Sequence, residues 1–406
     1  MRFRPFGLSP SVLVLASTHF LVDGFGNVLS PLLPVLIPRL NLSLAAAGTL
    51  QMCFQLANSV SQLGFGHVAD RWRPRVLLIA GPIVALIVLP FVGLAPNVWM
   101  LAAILIVGGL GGAAFHPPAA AVVHQVGGPR RGLAMSFHIT SGTLGQALAP
   151  LAFAPLAEHF GLRATPLLAV PALAVLLFVL LPRIPPIERL HEHGAARGFG
   201  PLRPYARPLT LLYLIVVLRT LTAISFSTFA PVMLTRRGLT VSEAGTAASI
   251  YLVAVGLGGF VGGPLADRFG ARRLIVLSLV AAVPFLALAP WLSGLPFLAV
   301  FAAGGFLLQS TLPVNVTFAQ VIAPVSAATV SSLMMGFAWG TGGLTVPLVG
   351  MLADRAGIPV TLTLMSMLPL LAAALALPLP RGKQVHSVVR ASESSTPEPS
   401  GTGVGG

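Results

Sequence analysis

Gly66-His67-Val68-Ala69-Asp70-Arg71 returns 197 residues later as Gly263-Pro264-Leu265-Ala266-Asp267-Arg268. Each copy closes an apolar run, and arginines follow both: Arg73 and Arg75 after the first, Arg272 and Arg273 after the second. Nearly the same offset carries Gly108-Gly109 and Pro117 onto Gly304-Gly305 and Pro313. A weaker echo joins Leu156-Ala157-Glu158 and Gly161 to Leu352-Ala353-Asp354 and Gly357. The chain is therefore expected to be two related halves, each a series of apolar helices.

The rest of the composition fits that reading. Hydrophobic residues make up 55% of the 406 residues and charged residues only 8%, where an ordinary soluble domain is about a quarter charged. So few charges cannot cover a soluble surface, and a lipid bilayer is the expected partner. The net charge of +14 does not point to nucleic acid, because the basic residues sit in short loops between apolar runs and form no basic face. Cys53 is the single cysteine, which excludes an intramolecular disulfide and a cysteine-rich metal site. No metal and no cofactor are expected.

A bilayer core takes roughly 20 apolar residues per helix. Cutting at charges and at Pro, Gly and Asn breaks predicts twelve spans: 11–38, 44–69, 75–94, 98–124, 131–157, 163–182, 207–234, 243–266, 273–290, 295–321, 327–352 and 358–379. The predicted organisation is an N-terminal six-helix bundle (1–182), a cytoplasmic linker (183–206), a C-terminal six-helix bundle (207–380) and a disordered tail (381–406) rich in Ser, Thr, Pro and Gly. The first apolar run holds Thr18, His19 and Asp23 with no convincing cleavage site after it, so it reads as an uncleaved first helix. Arginines crowd the loops on the side of the termini, whereas the other side holds only Arg39, Arg163, Arg236, Arg237 and Arg355. By the positive-inside rule both termini are cytoplasmic, in a bacterial inner membrane.

The Gly66 to Arg71 stretch and its second copy resemble the loop motif of the major facilitator superfamily, and the likeness covers the whole chain except the tail. Trp72 and Pro74 depart from the preference of that family, so the second copy is the cleaner one. Within the superfamily, four stretches are similar to the fosmidomycin-resistance group: His19 to Asp23, Phe54 to Ala57, Phe115-His116-Pro117, and Arg131 to Ser136. In that group an acidic residue commonly follows the His-Pro pair, and here the position is Pro118. The resemblance implies an all-α fold of two pseudo-symmetric six-helix bundles. It also implies that Gly66, Asp70, Arg71, Gly263, Asp267 and Arg268 gate the transport cycle. A bland reading of the same arginines is that they only set topology.

Charge near the bilayer centre costs at least ~2.5 kcal/mol, so it usually marks function. Asp23 is the only acid inside a span rather than at its end, and Arg219 is the only arginine well inside one. By the repeat offset Asp23 aligns with Thr220, next to Arg219. His19 precedes Asp23 by one helical turn, and His116 and His138 are placed at similar depth. Together these four are the expected proton-coupling residues, since histidine titrates near neutral pH. Arg219, Gln51, Gln55, Gln309 and Asn315 are the expected cavity residues. For the histidines and amides the alternative is hydrogen-bonded packing; for Asp23 and Arg219 it is an ion pair between the halves. Gly142, Gly145 and Pro150 in span five resemble the glycine-proline pattern of antiporter members, which favours export.

No Gly-rich phosphate loop of the ATPase type is present, so an ion gradient would supply the energy. The sequence favours a monomeric, non-enzymatic, proton-coupled exporter of a small amphipathic or anionic compound. An importer of an organic anion on the same fold, a membrane-embedded enzyme or lipid-handling protein, and a channel remain as alternatives.

Overall fold

The computed structural model describes residues 8–71, 74–184, 200–323, 330–331 and 333–380. Among these there is no strand; the chain is helical throughout. Ten helices are long and apolar enough to cross a membrane: α1 (Pro10–Leu40), α3 (Pro74–Leu94), α4 (Val98–Val126), α6 (Leu162–Arg183), α7 (Leu202–Arg236), α8 (Val241–Phe269), α9 (Ala271–Trp291), α10 (Gly294–Ile322), α11 (Leu333–Ala356) and α12 (Ile358–Ala376). Two more, α2 (residues 44–71) and α5 (Arg131–Phe160), have crossing length but are more polar. Together these match the twelve predicted spans to within a few residues. Span eleven runs on to Ala356 rather than 352, which puts Asp354 and Arg355 in its last helical turn. Of the predicted linker, residues 185–199 lie outside the described residues, as do 1–7 and the tail beyond residue 380.

Local sequence explains the helix ends. Ser43 Oγ accepts from the Ala46 amide at 3.0 Å and Asn97 Oδ1 from Met100 at 2.9 Å, while Thr240 and Glu243 form a reciprocal capping box at the start of α8. Gly161 (φ 78°) and Gly357 (φ 83°) turn the chain after α5 and after α11, in a backbone region that side-chain-bearing residues avoid. α1 is broken at Asn27, whose side chain donates to the Gln146 carbonyl at 2.9 Å. Large apolar side chains such as Trp99, Phe178, Phe260 and Leu295 point outward, as a lipid-facing surface requires.

The sequence repeat is a repeat of contacts. Gly108 packs on Leu89 and Gly304 on Leu286, and those two leucines are again 197 residues apart. Gly109 packs on Phe54 and Ala57, Gly305 on Tyr251 and Val255, and Phe54 and Tyr251 share the offset. Ser30 Oγ donates to the carbonyl of Ser227, its own repeat partner at |i−j| = 197. Two equivalent positions can touch only where they meet the symmetry axis. α1 and α7 therefore cross the pseudo-two-fold axis at Ser30 and Ser227.

The halves meet along α2 with α11 and α5 with α8. Gly48 lies against Val346 and Pro347, and its repeat partner Gly245 against Pro150 and Ala154. At the face away from the termini, the Asp354 carboxylate accepts from the amides of Leu44 and Ala45, both at 2.9 Å. The Glu158 carboxylate accepts from the Ser242 amide at 2.6 Å. Toward the termini face the seam thins. Gly256 and Gly340 still approach Thr143 and Val60 across it, but an added Cβ at Gly64, Gly259 or Gly263 would meet nothing within 4 Å. Among the described residues the seam is therefore closer on the far face than on the termini face.

Candidate functional site

α1, α4 and α5 bring four of the expected residues together in the N-terminal half. His19 Nε2 lies 3.3 Å from Asp23 Oδ2, one turn away on α1. His116 Nε2, from α4, lies 3.4 Å from the other oxygen, Asp23 Oδ1. The His138 ring, from α5, stacks on His19 with centroids 4.3 Å apart and planes at 29°. His116 meets the same His19 ring edge-on at 5.0 Å.

α1 and α5 approach closely enough for this because α5 carries glycines. A Cβ at Gly142 would lie 2.6 Å from His19 Cε1 and Nε2 and 2.8 Å from Asp23 Oδ2. A Cβ at Gly145 would collide with the carbonyl of Phe20. The polar residue between these positions and Pro150, Gln146, donates from Nε2 to Asp23 Oδ2 at 2.9 Å. Sequence reasoning passed over Gln146. Its signal was an amide in an apolar span, of the grade that had singled out Gln51 and Gln55.

The hydrogen bonds fix one tautomer. His19 Nδ1 lies 2.8 Å from the His138 carbonyl oxygen, which can only accept, so Nδ1 carries a proton. The remaining nitrogen, Nε2, faces a carboxylate. A neutral His19 beside an ionised Asp23 would set a lone pair against a carboxylate oxygen, so the contact is favourable only when a cation, proton or metal, lies between the two. The His19, Asp23 and His116 side chains keep 11%, 13% and 16% exposure, so the cluster is nearly but not completely enclosed.

Arg219 stands apart from this cluster. It is fully buried on α7, with NH1 donating to Gln309 Oε1 and NH2 to Thr220 Oγ1 at 3.2 Å. Its guanidinium lies 5.8 Å from the centroid of Trp339 on α11. Its Nε has no hydrogen-bond partner, and among the described residues no carboxylate lies within ion-pair distance of it. An Asp23–Arg219 pair between the halves is not formed; Asp23 is held by histidines instead. Tyr251 and Asn315 are also fully buried, and the Tyr251 hydroxyl and both Asn315 amide atoms lack partners. Arg219, Gln309 and Asn315 thus face the packed interior of the C-terminal half.

α2, which carries the expected cavity residues Gln51 and Gln55, is interrupted just after them by a π-turn at Leu56–Val60. Gln55 is buried under Gly343 of α11, Asn58 faces Gly112 of α4, and Gln51 is half-buried. Of the residues expected to gate, Gly66 faces Pro117 of α4, while Asp267 and Arg268 are exposed at the end of α8. The Asp70 and Arg71 side chains lie outside the described part of the chain.

Comparison with known proteins fits this geometry. The family model described as Major Facilitator Superfamily matches residues 15–240 and 212–399. An uncharacterized MFS-type transporter of Bacillus subtilis (strain 168), YfnC, is 27% identical over 375 residues, covering 89% of this chain and 91% of that protein. The fosmidomycin resistance protein of Escherichia coli (strain K12) is 27% identical over 366 residues, covering 88% and 89%. A crystal structure of a bacterial homolog of the human lysosomal transporter Spinster, inward-facing and occupied, superposes with a TM-score of 0.75 at 20% identity, covering 93% of this chain and 96% of that one. That likeness bears on the fold alone.

Proposed function

The chain belongs to the major facilitator superfamily, and from that premise we propose that it is a proton-coupled exporter of a small amphipathic or anionic compound. As a member it is a multi-pass membrane transporter of small molecules, not an enzyme. The observation that carries the finer reading is the Asp23 carboxylate held between two imidazoles inside the membrane, nearly but not completely enclosed. Such a group gains and loses a proton with little rearrangement: the proton sits between Asp23 and His19, and His116 offers the next stop.

Arg219 is the second element. A buried guanidinium without a carboxylate is electrostatically incomplete, and an anionic substrate group would complete it when the C-terminal half opens around α7, α10 and α11. The name of the Escherichia coli relative fits such a substrate, since fosmidomycin is a phosphonate. Residues 1–182 and 207–380 would be the two rocking bodies and 183–206 their linker. With both termini cytoplasmic in a bacterial inner membrane, the termini face is the inward one. The chain would work as a monomer.

The test is substrate-driven proton flux in proteoliposomes, preceded by an accumulation screen that includes fosmidomycin. Asp23→Asn should abolish proton coupling while substrate still binds, and unchanged coupling removes Asp23 from the role. Arg219→Gln should weaken affinity for anionic substrates by about tenfold or more, a loss of one charged hydrogen bond of roughly 1.5–3 kcal/mol. Transport in inside-out against right-side-out vesicles decides export over import.

A further inference from the structure

We propose that His19, Asp23 and His116 form a binding site for a divalent first-row transition-metal ion, Zn²⁺ being the type case. No metal is expected from the sequence: His19 and Asp23 are one helical turn apart, but His116 lies on another helix ninety-odd positions away. The fold supplies what the sequence lacks. One donor atom from each residue lies within 4.8 Å of the others. His19 Nε2 lies 3.3 Å from Asp23 Oδ2 and His116 Nε2 lies 3.4 Å from Asp23 Oδ1, so the carboxylate faces one imidazole with each oxygen. Metal–donor bonds of about 2.0–2.1 Å in a tetrahedron set neighbouring donors ~3.3–3.4 Å apart, and donors that already lie within 4.8 Å of one another need only close to that spacing to hold an ion.

The orientation of the ligands fits equally. His19 gives its Nδ1 proton to a backbone carbonyl, the outer hydrogen bond that aims the other nitrogen of a metal-bound histidine. Gln146 holds Asp23 Oδ2 in the same way. His138 is stacked on His19 and braces the ring rather than adding a ligand. Two imidazoles and one carboxylate make three protein ligands, one short of the four that close a structural zinc site. The metal occupies the lone pairs that the coupling proton would use, so the two exclude each other. The site shares residues with the proton-coupling reading but does not depend on it.

The experiment is metal titration of the purified full-length protein in nanodiscs, stripped with chelator, with no substrate and no gradient. Co²⁺ is followed by its visible absorption and then displaced with Zn²⁺, and Zn²⁺ is also titrated calorimetrically. A single site with a tetrahedral Co²⁺ spectrum is expected. His116→Ala and Asp23→Asn should each weaken it by about tenfold or more, with His116→Gln as the volume-conserving check and thermal melting as the check on folding. The double variant His191→Ala, His193→Ala removes two histidines of the predicted linker, away from the site in sequence, and should change nothing. Absence of a site in the wild type overturns the proposal, as does wild-type affinity in His116→Ala and Asp23→Asn. Loss of metal from Asp23→Asn with coupling intact would sink the proton role and leave the metal site standing.

Discussion

At the scale of single residues, the site depends as much on an absent side chain as on those present. Gly142 leaves the space that His19 and Asp23 fill, and the His19 ring cannot swing aside because Nδ1 is tied to the His138 carbonyl. Gly142→Ala should therefore keep every titratable group yet displace His19 from Asp23. We expect proton-coupled transport to fall by about tenfold or more, as a misplacement near 1 Å can cost even hundredfold, with expression and melting temperature close to wild type. Proteoliposome flux checks it, and coupling equal to wild type would mean the His19–Asp23 contact is incidental. Asp23, His19 and His116 were legible in the sequence because ionisable residues are costly in an apolar span. Gln146 was not, because its importance lies wholly in which helix it faces. Arg219 was legible as a lone charge, but its enclosure by Gln309, Thr220 and Trp339 depends on the packing of three helices that are distant in sequence.

At the scale of helices, α2 and α5 fall short of the hydropathy of the other ten, and both lie in the seam between the halves. Protein replaces lipid on one side of each, so amides and small residues are tolerated there. Charged loops and turn residues made the spans readable, but the breaks within them did not announce themselves. The π-turn of α2 at Leu56–Val60 touches that of α11 at Leu333–Phe337 across the seam, at the level where the close contact ends. The halves are zipped from there to the far face by equivalent glycines. A Cβ at Gly48 would lie 2.6 Å from the Val346 carbonyl oxygen, and one at Gly245 would lie 2.6 Å from Ala154 Cβ. Gly48→Ala and Gly245→Ala should each pry the far face apart and expose it to membrane-impermeant thiol reagents at cysteines placed along α8. Gly259→Ala, whose Cβ meets nothing here, should leave that labelling unchanged. Equal labelling in all three would show that the seam is not held by these contacts.

At the scale of the whole molecule, the far face is latched twice, by the same device on both sides of the axis. Glu158 ends α5 and caps the start of α8; Asp354 ends α11 and caps the start of α2. An anion at a helix N-terminus meets free amides and the positive end of the helix dipole. Each half thus supplies the carboxylate that the other half's helix lacks, and rocking apart on the far face breaks both contacts at once. The sequence showed the two acids as a repeat echo; their partners became visible only with the halves in contact. Hydrogen bonding from Ser242 holds the Glu158 carboxyl below the usual carboxylate range while the face is closed. When the face opens, the carboxyl returns toward its ordinary value. The closed state therefore binds the proton less tightly, and the Glu158 latch favours closure fully above about pH 4.3. That contribution is lost as pH falls further, through the depressed value. Spin labels at the far-face ends of α5 and α8 should report a growing open population on acidification, and Glu158→Gln should remove that dependence. Asp354→Asn should shift the ratio of closed to open by roughly two- to fivefold toward open. Distances that ignore both substitutions would leave the glycine seam and the Ser30–Ser227 crossing as the elements that hold the far face shut.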